Sequence, residues 1–101
     1  MTQEDTTSLI FLATALASKI ERADFRAISK AADGINHAAL RQKEFDVAIA
    51  WLINTGLVRK QGTKYSLTSE GLLNYEEASK DTSVLFDIWD NLQIILRKYE
   101  S

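Results

Sequence analysis

The sequence predicts a mainly α-helical domain with one small β-hairpin, and three observations lead there. Apolar residues recur at helical spacing in several separate runs. Only residues 57–60 and 64–67 read as β-compatible, and they flank Gln61-Gly62-Thr63. Gly56 stands where the third helical run needs a residue free to adopt a left-handed conformation. The order expected is α-α-α-β-β-α-α. At 101 residues and 46% hydrophobic, the chain fits a single domain over residues 1–101 with a modest core.

The first helix is expected over residues 8–20, through Leu9, Ile10, Phe11, Leu12, Ala13, Leu16, Ala17 and Ile20, with Thr6, Thr7 or Ser8 as N-cap. Its apolar residues cover more than one face, so it must pack on two sides. One side meets the core, and the other meets the C-terminal helix or a second subunit. Asp24 caps a second helix through Phe25, Ile28, Ala31 and Ala32, ending at Asp33-Gly34 or one turn later at Ile35-Asn36. A polar connection over 37–42 leads to a third helix, 43–54, with Phe45, Ala48, Ile49, Leu52 and Ile53 on its inner face. After the hairpin, Thr68 or Ser69 caps a fourth helix, 70–79. A break at 80–83 precedes the last helix, 83–99, where Leu85, Trp89, Leu92, Leu96 and Tyr99 alternate in steps of four and three, widened by Val84, Ile88 and Ile95.

Two stretches carry a resemblance. Ile49-Ala50-Trp51-Leu52-Ile53-Asn54-Thr55-Gly56-Leu57-Val58 looks like the end of a recognition helix, and Tyr65-Ser66-Leu67-Thr68-Ser69-Glu70-Gly71 looks like a return strand entering the next helix. In this the chain resembles the winged-helix superfamily, the helix-turn-helix variant found in many bacterial regulators. The resemblance covers residues 8–79 and leaves 83–100 as an added C-terminal helix. It implies a winged helix-turn-helix fold and, by analogy, a DNA-binding regulator of transcription. The connection between the second and third helices is longer than the tight turn of simple helix-turn-helix proteins, which loosens the docking geometry the family implies.

Several chemistries are excluded. There is no cysteine, hence no disulfide, thiolate metal site or cysteine nucleophile. His37 is the single histidine, and no carboxylates show ligand spacing, so neither a metal nor another cofactor is expected. A helix-end role suits His37 better than a functional one. No nucleophile–base pair, phosphate loop or paired catalytic carboxylates occur, which argues against an enzyme. The N-terminal residues are acidic where a signal peptide is basic, and the apolar stretch 9–17 is too short to span a bilayer. A cytoplasmic protein with no membrane contact is expected.

Net charge is −2, unevenly spread. Residues 41–69 carry five basic side chains (Arg41, Lys43, Arg59, Lys60 and Lys64) against Glu44 and Asp46, whereas 70–101 carry three basic and seven acidic. Arg41, Gln42 and Lys43 near the start of the third helix, Asn54 at its end, and Arg59, Lys60 and Lys64 in the wing are therefore the candidate contacts to double-stranded DNA. A merely solvated basic surface remains the alternative. On the same helix Val47, Ala50 and Trp51 point outward beside acidic Asp46, which suits a protein partner rather than a phosphate backbone. A winged helix used for protein–protein association is thus the second reading. The apolar first and last helices suggest a homodimer through Leu9, Phe11, Leu12, Leu85, Trp89, Leu92, Leu96 and Tyr99, or else pairing within one chain.

Overall fold

The computed structural model describes residues 1–37 and 40–100. Among them run α1 (Gln3–Ala17), β1 (Ala23–Asp24), α2 (Phe25–Asn36), α3 (Gln42–Asn54), β2 (Val58–Gln61), β3 (Lys64–Leu67), α4 (Ser69–Ser79) and α5 (Leu85–Leu96). A single 3-10 turn, Arg97–Tyr99, prolongs α5. The strands form an antiparallel sheet in the order β1-β3-β2. The chain is therefore mainly helical with a small three-stranded sheet, one strand more than the hairpin expected. Ala38 and Ala39, in the connection between α2 and α3, lie outside the described residues.

α1 is the axis of the domain. It begins earlier than residue 8 because Thr2 and Asp5 form a capping box: the Thr2 hydroxyl accepts from the Asp5 N–H at 3.1 Å, and the Asp5 carboxylate accepts from the Thr2 N–H at 3.0 Å. Every side chain from Thr6 to Ala15 is buried. Three of the polar ones bond back one turn through their hydroxyls: Thr6 to Thr2 O (3.0 Å), Ser8 to Glu4 O (2.8 Å) and Thr14 to Ile10 O (2.7 Å). The helix stops at Ser18, and Ile20, expected on its apolar face, is 98% exposed.

α2 starts on the Asp24 carboxylate, which accepts from the Ala27 N–H at 2.9 Å. It passes through Gly34 and ends at His37, whose φ of 51° makes it a left-handed cap donating to Asp33 O at 2.7 Å. α3 buries Phe45, Ala48, Ile49 and Leu52. Its end is a Schellman motif around Gly56 (φ 80°), in which the Leu57 N–H reaches Leu52 O and the Gly56 N–H reaches Ile53 O, each at 3.0 Å. The chain then enters β2, and the two-residue turn Gly62-Thr63, with Gly62 at φ 64°, returns it as β3.

Edge-on aromatic contacts seat the sheet on the helices: Phe45 lies 5.4 Å from Tyr65 and 4.8 Å from Phe25, centroid to centroid. Thr68 fastens α4 to the turn after α3. Its hydroxyl donates to Gly56 O (2.6 Å) and accepts from the Gly71 N–H (3.0 Å), while its own N–H reaches Leu57 O (3.1 Å). A Cβ at position 71 would overlap the Leu57 carbonyl oxygen. That contact and the Thr68 bonds hold the Gly56-Leu57-Val58 segment against the start of α4.

α5 closes the last side of α1. The Trp89 indole N–H lies 3.0 Å from both the Ser8 hydroxyl and Asp5 O, and Asn91 donates to Ala78 O at 2.9 Å. Of the expected dimer residues, Leu9, Phe11, Leu12, Trp89, Leu92 and Leu96 are all buried within the one chain, where α1 packs against α2, α3 and α5. Of the eight dimer candidates, only Leu85, at 36% exposure, and half-buried Tyr99 keep appreciable surface, and the Tyr99 hydroxyl accepts from Asn74 at 2.8 Å. The apolar residues of α5 that do face solvent are Val84 just before it, Leu85, Phe86 and Ile94.

Candidate nucleic-acid interface

The helical period that sends Phe45, Ala48, Ile49 and Leu52 inward turns Lys43, Asp46, Val47, Ala50 and Asn54 to solvent. All five are exposed, Val47 to 48%. Trp51 departs from the expected outward placement. It is half-buried on the flank of α3, packed against the core beside α1 and α5. Ile53, expected inside, is also only half-buried.

At the start of α3, Arg41, Gln42 and Lys43 are exposed. The Glu44 carboxylate is occupied by the Arg41 backbone N–H at 3.2 Å, and the Gln42 amide donates to Asp46 at 2.9 Å. Gln42 is thus engaged with its own helix rather than free to read a base edge. Asn54 lies eleven residues beyond Lys43, about 16 Å along the helix.

The register of β2 and β3 sorts the hairpin cations. Arg59 pairs with Ser66 and Gln61 with Lys64, so these four side chains share one face of the ribbon. Lys60 pairs with Tyr65 and falls on the opposite face, with its ammonium 5.8 Å from the Tyr65 ring centroid. The three cations therefore do not form one patch. On the Arg59 face, Asp24 of β1 stands in register with Lys64, and the Arg22 guanidinium bonds the Gln61 side chain. Neither feature is legible in the sequence, because β1 is two residues long and shows no alternation.

Among the described residues, the ion pairs are Lys80–Glu77 at 3.0 Å and Arg97–Glu4 at 3.1 Å. Arg41, Lys43, Arg59, Lys60 and Lys64 take part in neither. Among the described residues, no cluster of three or more metal-ligating side chains occurs, and no helix is long and apolar enough to cross a membrane. His37 serves as the backbone cap described above.

Two clefts border α3 on the side of α1. One, about 350 Å³, lies between Thr6 and Thr7 and the segment from Arg41 to Ala48. The other, about 270 Å³, lies between Glu4 and Thr7, Trp51, and the end of α5. Gln3 and Thr7 line both. Sequence reasoning does not single out these two residues, since Thr7 reads only as a possible N-cap. No family model, curated protein or solved structure matches this chain.

Proposed function

We propose that this chain is a winged-helix module that docks on double-stranded DNA and acts as a regulator of transcription. The observation that carries this reading is the open face of α3. From Lys43 to Asn54 its outward side chains are exposed, and cations outside both ion pairs stand beyond its two ends. A helix about 10–12 Å across matches a major groove about 12 Å wide. Phosphates flanking that groove are what Arg41 and Lys43 at one end, and the hairpin at the other, are suited to neutralise.

The order of elements and the sheet order β1-β3-β2, with a hairpin directly after α3, support the winged-helix assignment. The face offers little base readout, because Gln42 is tied to Asp46 and the centre is Val47 and Ala50. Affinity would come mainly from phosphates, with weak discrimination between sequences. Fluorescence anisotropy with a labelled random-sequence duplex, titrated with salt, tests this. Binding at low salt that weakens steeply as salt rises supports the reading, and absence of binding at low salt overturns it. The exposed Val47 favours the second reading, a protein contact on the same side of the domain.

A further inference from the structure

Thr7 sits where the two clefts meet, and it behaves unlike its neighbours. It is 8% exposed, yet its hydroxyl makes no hydrogen bond among the described residues, whereas Thr6, Ser8 and Thr14 all bond back to backbone carbonyls. Among the described residues no fully enclosed side-chain polar atom lacks a partner, so the Thr7 hydroxyl is reached from the clefts. A recessed hydroxyl with no partner among the described residues is an anchor for an arriving donor or acceptor that can replace its water. Val47 borders the first cleft and Trp51 the second, one helical turn apart, about 6 Å. Each cleft thus has an apolar side chain of α3 on one wall and Thr7 on the other.

The charges are ordered along this seam. Arg41 and Lys43 border the first cleft against one carboxylate, Glu44, which accepts from the Arg41 backbone N–H. Glu4 and Glu100 border the second, where the Arg97 guanidinium is held by Glu4. One end is therefore positive and the other negative. A nucleic acid, negative throughout, is repelled at the second end. A small molecule would be poorly enclosed, because both clefts lie open along the surface.

We infer that the seam between α1 and α3 is a docking groove for a peptide segment of a partner protein. The segment carries carboxylates toward Arg41 and Lys43, apolar side chains against Val47 and Trp51, and a lysine or arginine toward Glu100. A backbone carbonyl or amide of the segment satisfies Thr7. The proposal rests on the protein-contact reading of Val47 and shares Arg41 and Lys43 with the DNA reading, and its test contains no DNA.

The immobilised full chain is used to select from a displayed library of random dodecapeptides, and selected peptides are resynthesised for titration against the free protein. Expected are peptides with acidic and basic residues at opposite ends of an apolar middle, whose amide shift changes map to Gln3, Thr7, Val47 and Trp51. Val47→Glu and Trp51→Ala should each weaken binding at least tenfold, and Leu73→Ala, on the outer face of α4, should leave it unchanged. Val47 is exposed, so its replacement tests the groove without entering the core. Three results overturn the proposal: no selected peptide sensitive to Val47→Glu, selected peptides of uniform charge, or a self-associated protein that Val47→Glu dissociates. The last would mean that a second copy fills the groove.

Discussion

The register of the hairpin gives the DNA reading a quantitative form. Arg59 and Lys64 share a face, while Lys60 lies on the other and keeps its ammonium near the Tyr65 ring. A duplex contacting one face of the ribbon meets two of the three cations. Adding Arg41 and Lys43 gives four phosphate contacts, and a slope of log K against log salt of about −3.6, from roughly −0.9 per contact on B-form DNA. Raising salt from about 50 to 200 mM should then weaken binding by about two decades. The double variant Arg59→Ala/Lys64→Ala should flatten the slope by about 1.8, and Lys60→Ala by less than about 0.3. Anisotropy titrations at several salt concentrations measure all three proteins. A Lys60→Ala slope change as large as that of the double variant would refute the division of the hairpin into two faces. A wild-type slope near zero would refute the phosphate contacts altogether.

Three further substitutions probe other parts of the reasoning. Asp46→Asn preserves an acceptor for the Gln42 amide but removes a negative charge from the α3 face. At about 7 Å from a phosphate in water this is worth roughly 0.6 kcal/mol, so duplex affinity should rise about threefold at low salt, and an unchanged or lower affinity would count against docking through α3. Leu92→Ala should cost about 2–5 kcal/mol in urea denaturation while the mass by light scattering stays that of wild type, because Leu92 is a core residue of one protomer. A changed mass without lost stability would instead support a dimer through this helix. Gly71→Ala should lower the urea midpoint, costing about 1–3 kcal/mol, because the new methyl meets the Leu57 carbonyl oxygen, although alanine favours helix by about 1 kcal/mol. A raised midpoint would show that α4 can move aside.

The elements with strong local punctuation are legible in the sequence. Asp24 caps α2, Gly56 closes α3, Gly62 turns the hairpin and Thr68 caps α4, and each acts on its own backbone within a few residues. The ends of α1 are not, because apolar residues carry only part of its period. Thr6 and Ser8 are buried by bonding back to the preceding turn, so a polar stretch continues the core helix toward the N-terminus, while apolar Ile20 lies outside it. β1 offers two residues, too few for any alternation. The cations of the candidate interface can be named from composition, but not their faces, since one step along a strand reverses the side chain. The clefts are not legible at all. They arise where the start of α1, the flank of α3 and the end of α5 converge, a meeting of segments far apart in the chain.

The burial of α1 explains both what this domain leaves open and what it does not require. A helix apolar on all sides needs neighbours on all sides, and α2, α3, β3 and α5 supply them within one chain. Trp89 shows how firmly α5 is tied to α1. Its indole donor is satisfied by Ser8 and Asp5, so its apolar ring is held inside rather than offered to a second protomer. An excess of apolar residues in two helices is therefore no argument for dimerisation once they face each other. The same closure leaves α3 with a single covered side. Its inner residues complete the core, its flank meets α1 across clefts that α1 only partly fills, and its outer side is exposed. α3 thus keeps an exposed outer side bearing Lys43, Asp46 and Asn54, and a partly filled flank bordered by Arg41 and Lys43 at one end and by Glu4 and Glu100 at the other.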